Sequence, residues 1–331
     1  MRAAVISRFG PPEVLEVREV PTPVPGPHDV LVRVHATAVN RADLLQRIGR
    51  YPAPPGWPDD IPGLEFAGEV AATGSDARRW RPRDRVFGLA GGGTYAEYVV
   101  VHEATLARIP DTLTWHEAAA IPEAFITAYD ALVTQGRLAA GERVLVHAVA
   151  SGVGLAAVQV ARAWGAQVFG TTRTSDKLAP AESLGMVAGI ALAGGVEPLA
   201  EAVARWSGGR GVDVVVDLVG GPYVAASVNA AAPRARLLLV GAVAGSQAQL
   251  DIRQVLGKRL TLQGTVMRAR PLPERIAVAD AFARDVVPRV ADGTLRPTID
   301  AVFPLDQSAD AHARVESNAS VGKVVIELPA H

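Results

Sequence analysis

The sequence predicts an α/β protein of two domains, a β-rich one interrupted by an inserted βαβ domain with a parallel sheet. Three observations carry that prediction. The length, 331 residues, suits two domains of roughly 100–200 residues each. Half of the 24 prolines fall within the first hundred residues, among short β-branched runs. Beyond Ala118 the texture changes to apolar runs of strand length separated by alanine-rich helical periods.

In the first stretch, prolines such as Pro21, Pro23, Pro25 and Pro27 forbid long helices, because proline lacks an N–H and clashes with the preceding turn. The runs Val30–Val34, Gly68–Ala72, Asp84–Gly88 and Tyr95–Val100 read as strands of an irregular barrel or sandwich. The runs Arg143–Val146, Gln167–Gly170, Val212–Val216 and Arg236–Val240 are continuously apolar, as strands buried on both faces must be. The inserted domain is expected to end after Leu260–Gly264. An apolar helix near Arg275–Val287 and strands at Ala301–Phe303 and Gly322–Ile326 then return the chain to the first domain.

Composition excludes several functions. Hydrophobic residues make up 49% and charged residues 20%, with a net charge of −1, so there is no basic field for nucleic acid or anionic lipid. Cysteine is absent, which removes disulfides, thiolate nucleophiles and thiolate-bound metals. The start Met1-Arg2-Ala3-Ala4-Val5-Ile6 runs directly into strand-like alternation, and no stretch of 18 apolar residues occurs, so a cytoplasmic protein is expected.

The most informative segment is Val144–Ala156, a strand, a turn of small residues, then a helix with apolar periodicity through Val158, Val160 and Trp164. Ser151, Gly152, Val153 and Gly154 sit where backbone N–H groups and a helix N-terminus meet a pyrophosphate, and the two glycines are expected to keep side chains from blocking that approach. The full glycine fingerprint is absent, since Val149 and Ser151 stand where glycines are usual; a simple tight turn is the competing account. The next strand ends Gly170-Thr171-Thr172-Arg173-Thr174-Ser175-Asp176-Lys177, without the tip carboxylate that holds a ribose 2′-OH. Thr172, Arg173, Thr174 and Lys177 instead offer hydroxyls and two cations suited to a 2′-phosphate, which points to NADPH. A solvated helix start is the alternative.

Several segments together carry a family resemblance over nearly the whole chain: Asn40–Arg47 with Tyr51-Pro52, Gly63-Leu64-Glu65, Gly91-Gly92-Gly93, Ala118–Ala128, Ser151–Gly154, and Glu316-Ser317-Asn318 before Gly322-Lys323. The chain resembles the zinc-independent medium-chain dehydrogenase/reductases, specifically the NADPH:quinone oxidoreductases similar to the p53-inducible quinone reductase group. The resemblance implies a GroES-like catalytic domain at 1–124 and 265–331 and a doubly wound Rossmann NADP-binding domain at 125–264. Zinc relatives place Cys, His and Cys where this chain has Asn40, Leu64 and Glu123, so no metal is expected. Without a Lewis acid the acceptor has to be electron-poor, which favours a quinone reduced by hydride from NADPH. Little acid–base machinery is expected.

The same resemblance places Asn40, Asp43 and Tyr51 on the substrate side, Thr127 near the nicotinamide, Gly241, Ala242 and Val243 beside the cofactor, and Asn318 in the C-terminal wall of the cofactor site. Other accounts stand beside these: Asn40 and Asp43 suit a cap on a helix beginning near Arg41, and Tyr51 suits packing among Pro52, Pro54 and Pro55. Leu192 stands where relatives usually have a tyrosine beside the adenosine phosphate, and Arg173 is expected to compensate. An enoyl or alkenal reductase, or a non-catalytic NADPH-binding sensor or structural protein, remain alternatives. The last strand of the inserted domain, Leu260–Gly264, is expected to form a sheet edge that a homodimer covers.

Overall fold

A computed structural model describes residues 1–329. The chain divides into two compact units. The first joins Met1–Ile126 to the chain from Met267 onward, and the second is Thr127–Val266.

In the second unit six strands form one parallel sheet, in the order Ala188–Ala191, Gln167–Thr172, Arg143–Val146, Val212–Asp217, Ala231–Leu239, Thr261–Gly264. Numbered along this unit the order is 3-2-1-4-5-6, the doubly wound arrangement, with its switch point between Arg143–Val146 and Val212–Asp217. The apolar runs explain the layering: Val144, Leu145 and Val146 are fully buried, as are Val214, Val215 and Val216. The helix Gly152–Ala163 follows the first strand and buries Leu155, Ala156, Val158 and Val160. Thr261–Gly264 lies at the sheet edge and is mostly exposed.

The first unit holds a two-stranded sheet and a seven-stranded one built around the long strand Asp29–Val39. That strand pairs antiparallel with Glu65–Thr73, with Tyr98–His102 and with Lys323–Glu327. Its register shifts between Leu31 and Val32 and between Val34 and Ala36, the irregularity that lets one strand serve three neighbours. Lys323–Glu327 also pairs in parallel with Ile299–Pro304, so the C-terminal segment completes this unit's sheet.

Two expected elements differ in detail. The strand expected from Tyr95 begins at Tyr98, because Tyr95 gives its carbonyl to the Ala4 N–H and its N–H to the Pro62 carbonyl. The apolar helix expected near Arg275–Val287 begins at Leu272, after Pro271, and passes at Phe282 into a wider turn before Val287–Ala291. Among the described residues no helix is long and apolar enough to cross a membrane.

Candidate active site

In the parallel-sheet unit the polar groups gather where strands end. His147 follows the first strand and is fully buried, with Nδ1 2.9 Å from Thr171 Oγ1 and Nε2 2.8 Å from Ser227 Oγ. Burial holds its pKa down at about 4, so the ring is neutral and pins three segments together. Ala148 then adopts a left-handed φ of 49°, and Ser151 caps the helix by accepting the Gly154 N–H at 3.1 Å. The N–H groups of Gly152 and Val153 have no partner among the described residues, the arrangement that favours an anion at a helix start.

A Cβ on Gly154 would lie 2.5 Å from the carbonyl oxygens of both Ala148 and Val149, so the turn itself requires its bare Cα. Gly241 is similar: a Cβ there would meet the Leu218 carbonyl oxygen at 2.5 Å. The loops after Asp217 and Leu239 therefore lie backbone to backbone, which leaves Ala242 and Val243 exposed, Val243 at 61%. Asp217 ties its loop down through the N–H groups of Val219 and Gly220, at 2.8 and 2.9 Å.

Thr172 is buried, and its hydroxyl donates to the Thr174 carbonyl at 2.7 Å, so here its one proton serves the turn. Arg173 is exposed with no partner among the described residues, whereas Lys177 is half-buried and engaged. Thr127, on the helix Pro122–Tyr129, has a buried Oγ1 without any hydrogen-bond partner. A buried unpaired hydroxyl costs about 1–3 kcal/mol, and a ligand amide removes that cost. This orphan, the free N–H pair and the unpaired Arg173 fit the polar nicotinamide end, the pyrophosphate and a phosphate of NADPH respectively.

In the first unit the polar groups form a buried network. Lys323 Nζ contacts Glu65 Oε1 at 2.6 Å and donates to Asn40 Oδ1 at 2.6 Å, with Lys323 5% and Glu65 0% exposed. Because the ammonium only donates, the Asn40 oxygen must face it, and the amide nitrogen then donates to Glu65 Oε1 at 2.9 Å. The other Glu65 oxygen accepts the Glu123 N–H at 2.8 Å. One carboxylate thus fastens three segments distant in the chain.

Asp43 sits deeper still. It accepts the N–H groups of Asn40 and Gly63, at 2.7 and 3.1 Å, and the Tyr95 hydroxyl at 3.3 Å. Burial raises its pKa to about 6 against the pull of those donors. The capping account of Asp43 and Asn40 therefore holds, since Asp43 closes the first turn of the helix Arg41–Arg47. The chain of bonds continues with a fixed direction. Arg47 can only donate, so the neutral His312 accepts at Nδ1, 3.3 Å away, and its Nε2 proton points to Tyr95 Oη at 3.1 Å. Burial and the neighbouring Arg47 keep the His312 pKa at about 3.

Tyr51 is half-buried, its ring 5.3 Å from the Arg268 guanidinium, and its hydroxyl has no partner among the described residues. Arg268 donates to the carbonyls of Gly91 and Tyr51 and to Gln46 Oε1, so it braces the loop that carries Tyr51. Asn318 follows the helix Ser308–Glu316 in a left-handed conformation, φ 55°, and accepts from Arg41 at 2.7 Å; it is a helix-ending residue of this unit. The sequence reading did not single out Lys323 or Arg268 as site residues. The signal for Lys323 was faint: a lysine at the head of an apolar terminal strand, where a charge requires a buried partner.

Residues 26–111 match the alcohol dehydrogenase GroES-like domain family, and residues 152–283 match the family described as zinc-binding dehydrogenase. A quinone oxidoreductase of Lama guanicoe is 32% identical over 339 residues, covering 99% of this chain and 98% of that protein. The chain belongs to the quinone oxidoreductase branch of the medium-chain dehydrogenase/reductases. Among solved structures, an NAD-dependent alcohol dehydrogenase superposes with a TM-score of 0.87 at 33% identity, covering 99% of this chain and 100% of that one. The Escherichia coli quinone oxidoreductase complexed with NADPH superposes with a TM-score of 0.86 at 26% identity, with the same coverage. This chain therefore has the expected architecture, a GroES-like domain and a Rossmann-type domain. The protein is therefore an oxidoreductase. Among the described residues, no group of three or more His, Cys, Asp or Glu side chains is placed to hold a metal ion.

Proposed function

We propose that this protein is an NADPH-dependent quinone oxidoreductase, on the strength of its full-length relationship to quinone oxidoreductases. NADPH supplies the hydride when bound. The chain's own groups then have distinct tasks. The Gly152 and Val153 N–H groups, at the positive end of a twelve-residue helix, hold the pyrophosphate, with Ser151 fixing the helix start. Arg173 and Lys177 hold the 2′-phosphate. Gly241, Ala242 and Val243 form backbone neighbours of the cofactor, and Thr127 Oγ1 bonds its polar carboxamide end. Tyr51 offers the one free phenolic proton on its loop to the acceptor oxygen as negative charge develops there. Asn40 and Asp43 do not touch the acceptor; they position the wall through Glu65, Lys323 and Tyr95.

The exposed edge Thr261–Gly264, with the exposed apolar side chains Val243, Ile252, Leu256 and Val266 in the same unit, supports a homodimer in solution. The functional reading is tested by following NADPH consumption with a benzoquinone, a naphthoquinone and an alkenal. Fastest turnover with a quinone is expected, and faster turnover with the alkenal overturns the acceptor assignment. Light scattering at micromolar concentration tests the dimer; a monomer overturns it.

A further inference from the structure

We propose that Glu123 is a catalytic residue of this reduction, the acid that delivers a proton to the acceptor oxygen in the cavity it lines. The inference rests on the quinone reductase reading above and adds the group that completes its proton balance. Within the first unit lies a narrow, mostly apolar cavity. Leu64, Leu89, Ala90, Ile126 and Met267 contribute apolar walls, and Glu123 is the only carboxylic acid among its lining residues.

The position of Glu123 is fixed while its side chain is free. Its N–H is held by Glu65, in the first turn of the helix Pro122–Tyr129. Its carboxyl has no hydrogen bond or ion pair among the described residues, and the residue is half-buried. Every other acidic group nearby is spent: Glu65 on Lys323 and Asn40, and Asp43 on two N–H groups and Tyr95.

The surroundings keep this carboxyl protonated near neutral pH. Burial raises its pKa to about 8, helped by the negative Glu65 and Asp43 and opposed by Lys323 and Arg268. Arg270 and Arg275 also line the cavity. An arginine cannot give up a proton at these pH values, so the carboxyl is the acid available. The two-electron product of a quinone is a phenol, with a proton affinity like that of tyrosine, pKa about 10. Transfer from Glu123 to the oxyanion is therefore downhill. The acceptor gains one hydride from NADPH and one proton at oxygen. The Glu123 O–H bond breaks as the new O–H bond forms, and solvent reprotonates the carboxylate between turnovers.

The test compares the unaltered protein with Glu123→Gln across pH 6–10. With a quinone, kcat of the unaltered protein is expected to fall tenfold per pH unit above about 8 and to show a solvent deuterium isotope effect. Glu123→Gln is expected to lose about 100-fold in kcat, with a flat pH profile and unchanged NADPH affinity. A readout independent of turnover is the carboxyl 13C signal of labelled glutamate: one neutral carboxyl at pH 7, absent from Glu123→Gln. Quinone turnover that survives the substitution with its pH profile intact, or a carboxyl already ionised at pH 7, overturns the proton donor alone. Absence of quinone turnover by the unaltered protein overturns the functional reading and this inference together.

Discussion

The parallel-sheet unit buries His147 between two hydroxyls as a neutral ring, whereas the first unit buries the ammonium of Lys323 against the carboxylate of Glu65. Both arrangements fasten strand ends to neighbouring segments, yet they leave different surfaces for chemistry. In the parallel-sheet unit the groups left without a partner among the described residues include two backbone N–H groups, at Gly152 and Val153. In the first unit they are side chains held by buried charge, such as Glu123 and Tyr51. Backbone groups bind whatever dinucleotide fits, while side chains tune protons and acceptors. On the function proposed above, this contrast gives binding to one unit and reactivity to the other.

The largest test of that contrast removes the buried cation. Lys323→Met leaves Glu65 charged and unpaired, and breaking a buried pair on one side costs about 3–5 kcal/mol. Denaturant unfolding is expected to show that loss, with hydrogen exchange in Arg143–Val146 as the internal reference. If the stability change stays below about 1 kcal/mol, the ion pair does not organise the first unit.

Tyr51→Phe removes a single donor while leaving the ring over Arg268. A fall in kcat of about 100-fold is expected, in the range for one lost oxyanion donor. Unchanged turnover and quinone affinity reduce Tyr51 to packing.

Acid provides a test that touches both units. His147 and His312 have pKa values depressed to about 4 and about 3, because burial disfavours the charged ring and, for His312, Arg47 adds repulsion. The unfolded chain takes up these protons near pH 6.5, and the folded chain resists until much lower pH. Stability is therefore full above pH 6.5 and falls as pH drops toward 4 and 3, by about 1.4 kcal/mol per pH unit for each histidine. His147→Gln is expected to flatten its share of the slope in a pH series of unfolding curves; an unchanged slope assigns the acid sensitivity elsewhere.

The smallest expected effect is at Arg173. Because this side chain is exposed, Arg173→Ala is expected to weaken NADPH binding about tenfold, by roughly 1.4 kcal/mol, and to leave NADH binding unchanged. Equal losses for both nucleotides, measured by calorimetry, would remove the 2′-phosphate assignment.

Much of this molecule was legible from local pattern. Continuous apolar runs at Val144–Val146 and Val214–Val216 marked strands buried on both faces, since only a parallel sheet covered by helices accommodates them. Ser151 three residues before Gly154, and Asn40 three before Asp43, have the spacing of helix caps, and both residues cap. Nothing in the local sequence of Thr172 says that its proton goes to the Thr174 carbonyl. At Gly154 and Gly241 the fold itself supplies a reason for glycine that the sequence does not display. Their close neighbours are the chain's own carbonyls, and Gly241 meets Leu218 only after folding.

The sequence by itself determined the period of each segment, the strand order's first clue in the glycine turn, and the absence of thiolates, because these depend on neighbours a few residues apart. Only the tertiary structure decided which charges meet. Lys323 and Asn40 stand 283 positions apart, and no local pattern encodes that their strands pair. Burial then does what sequence cannot display: away from water a charge needs a partner, so Lys323 and Glu65 stay paired while Glu123, without one, holds its proton.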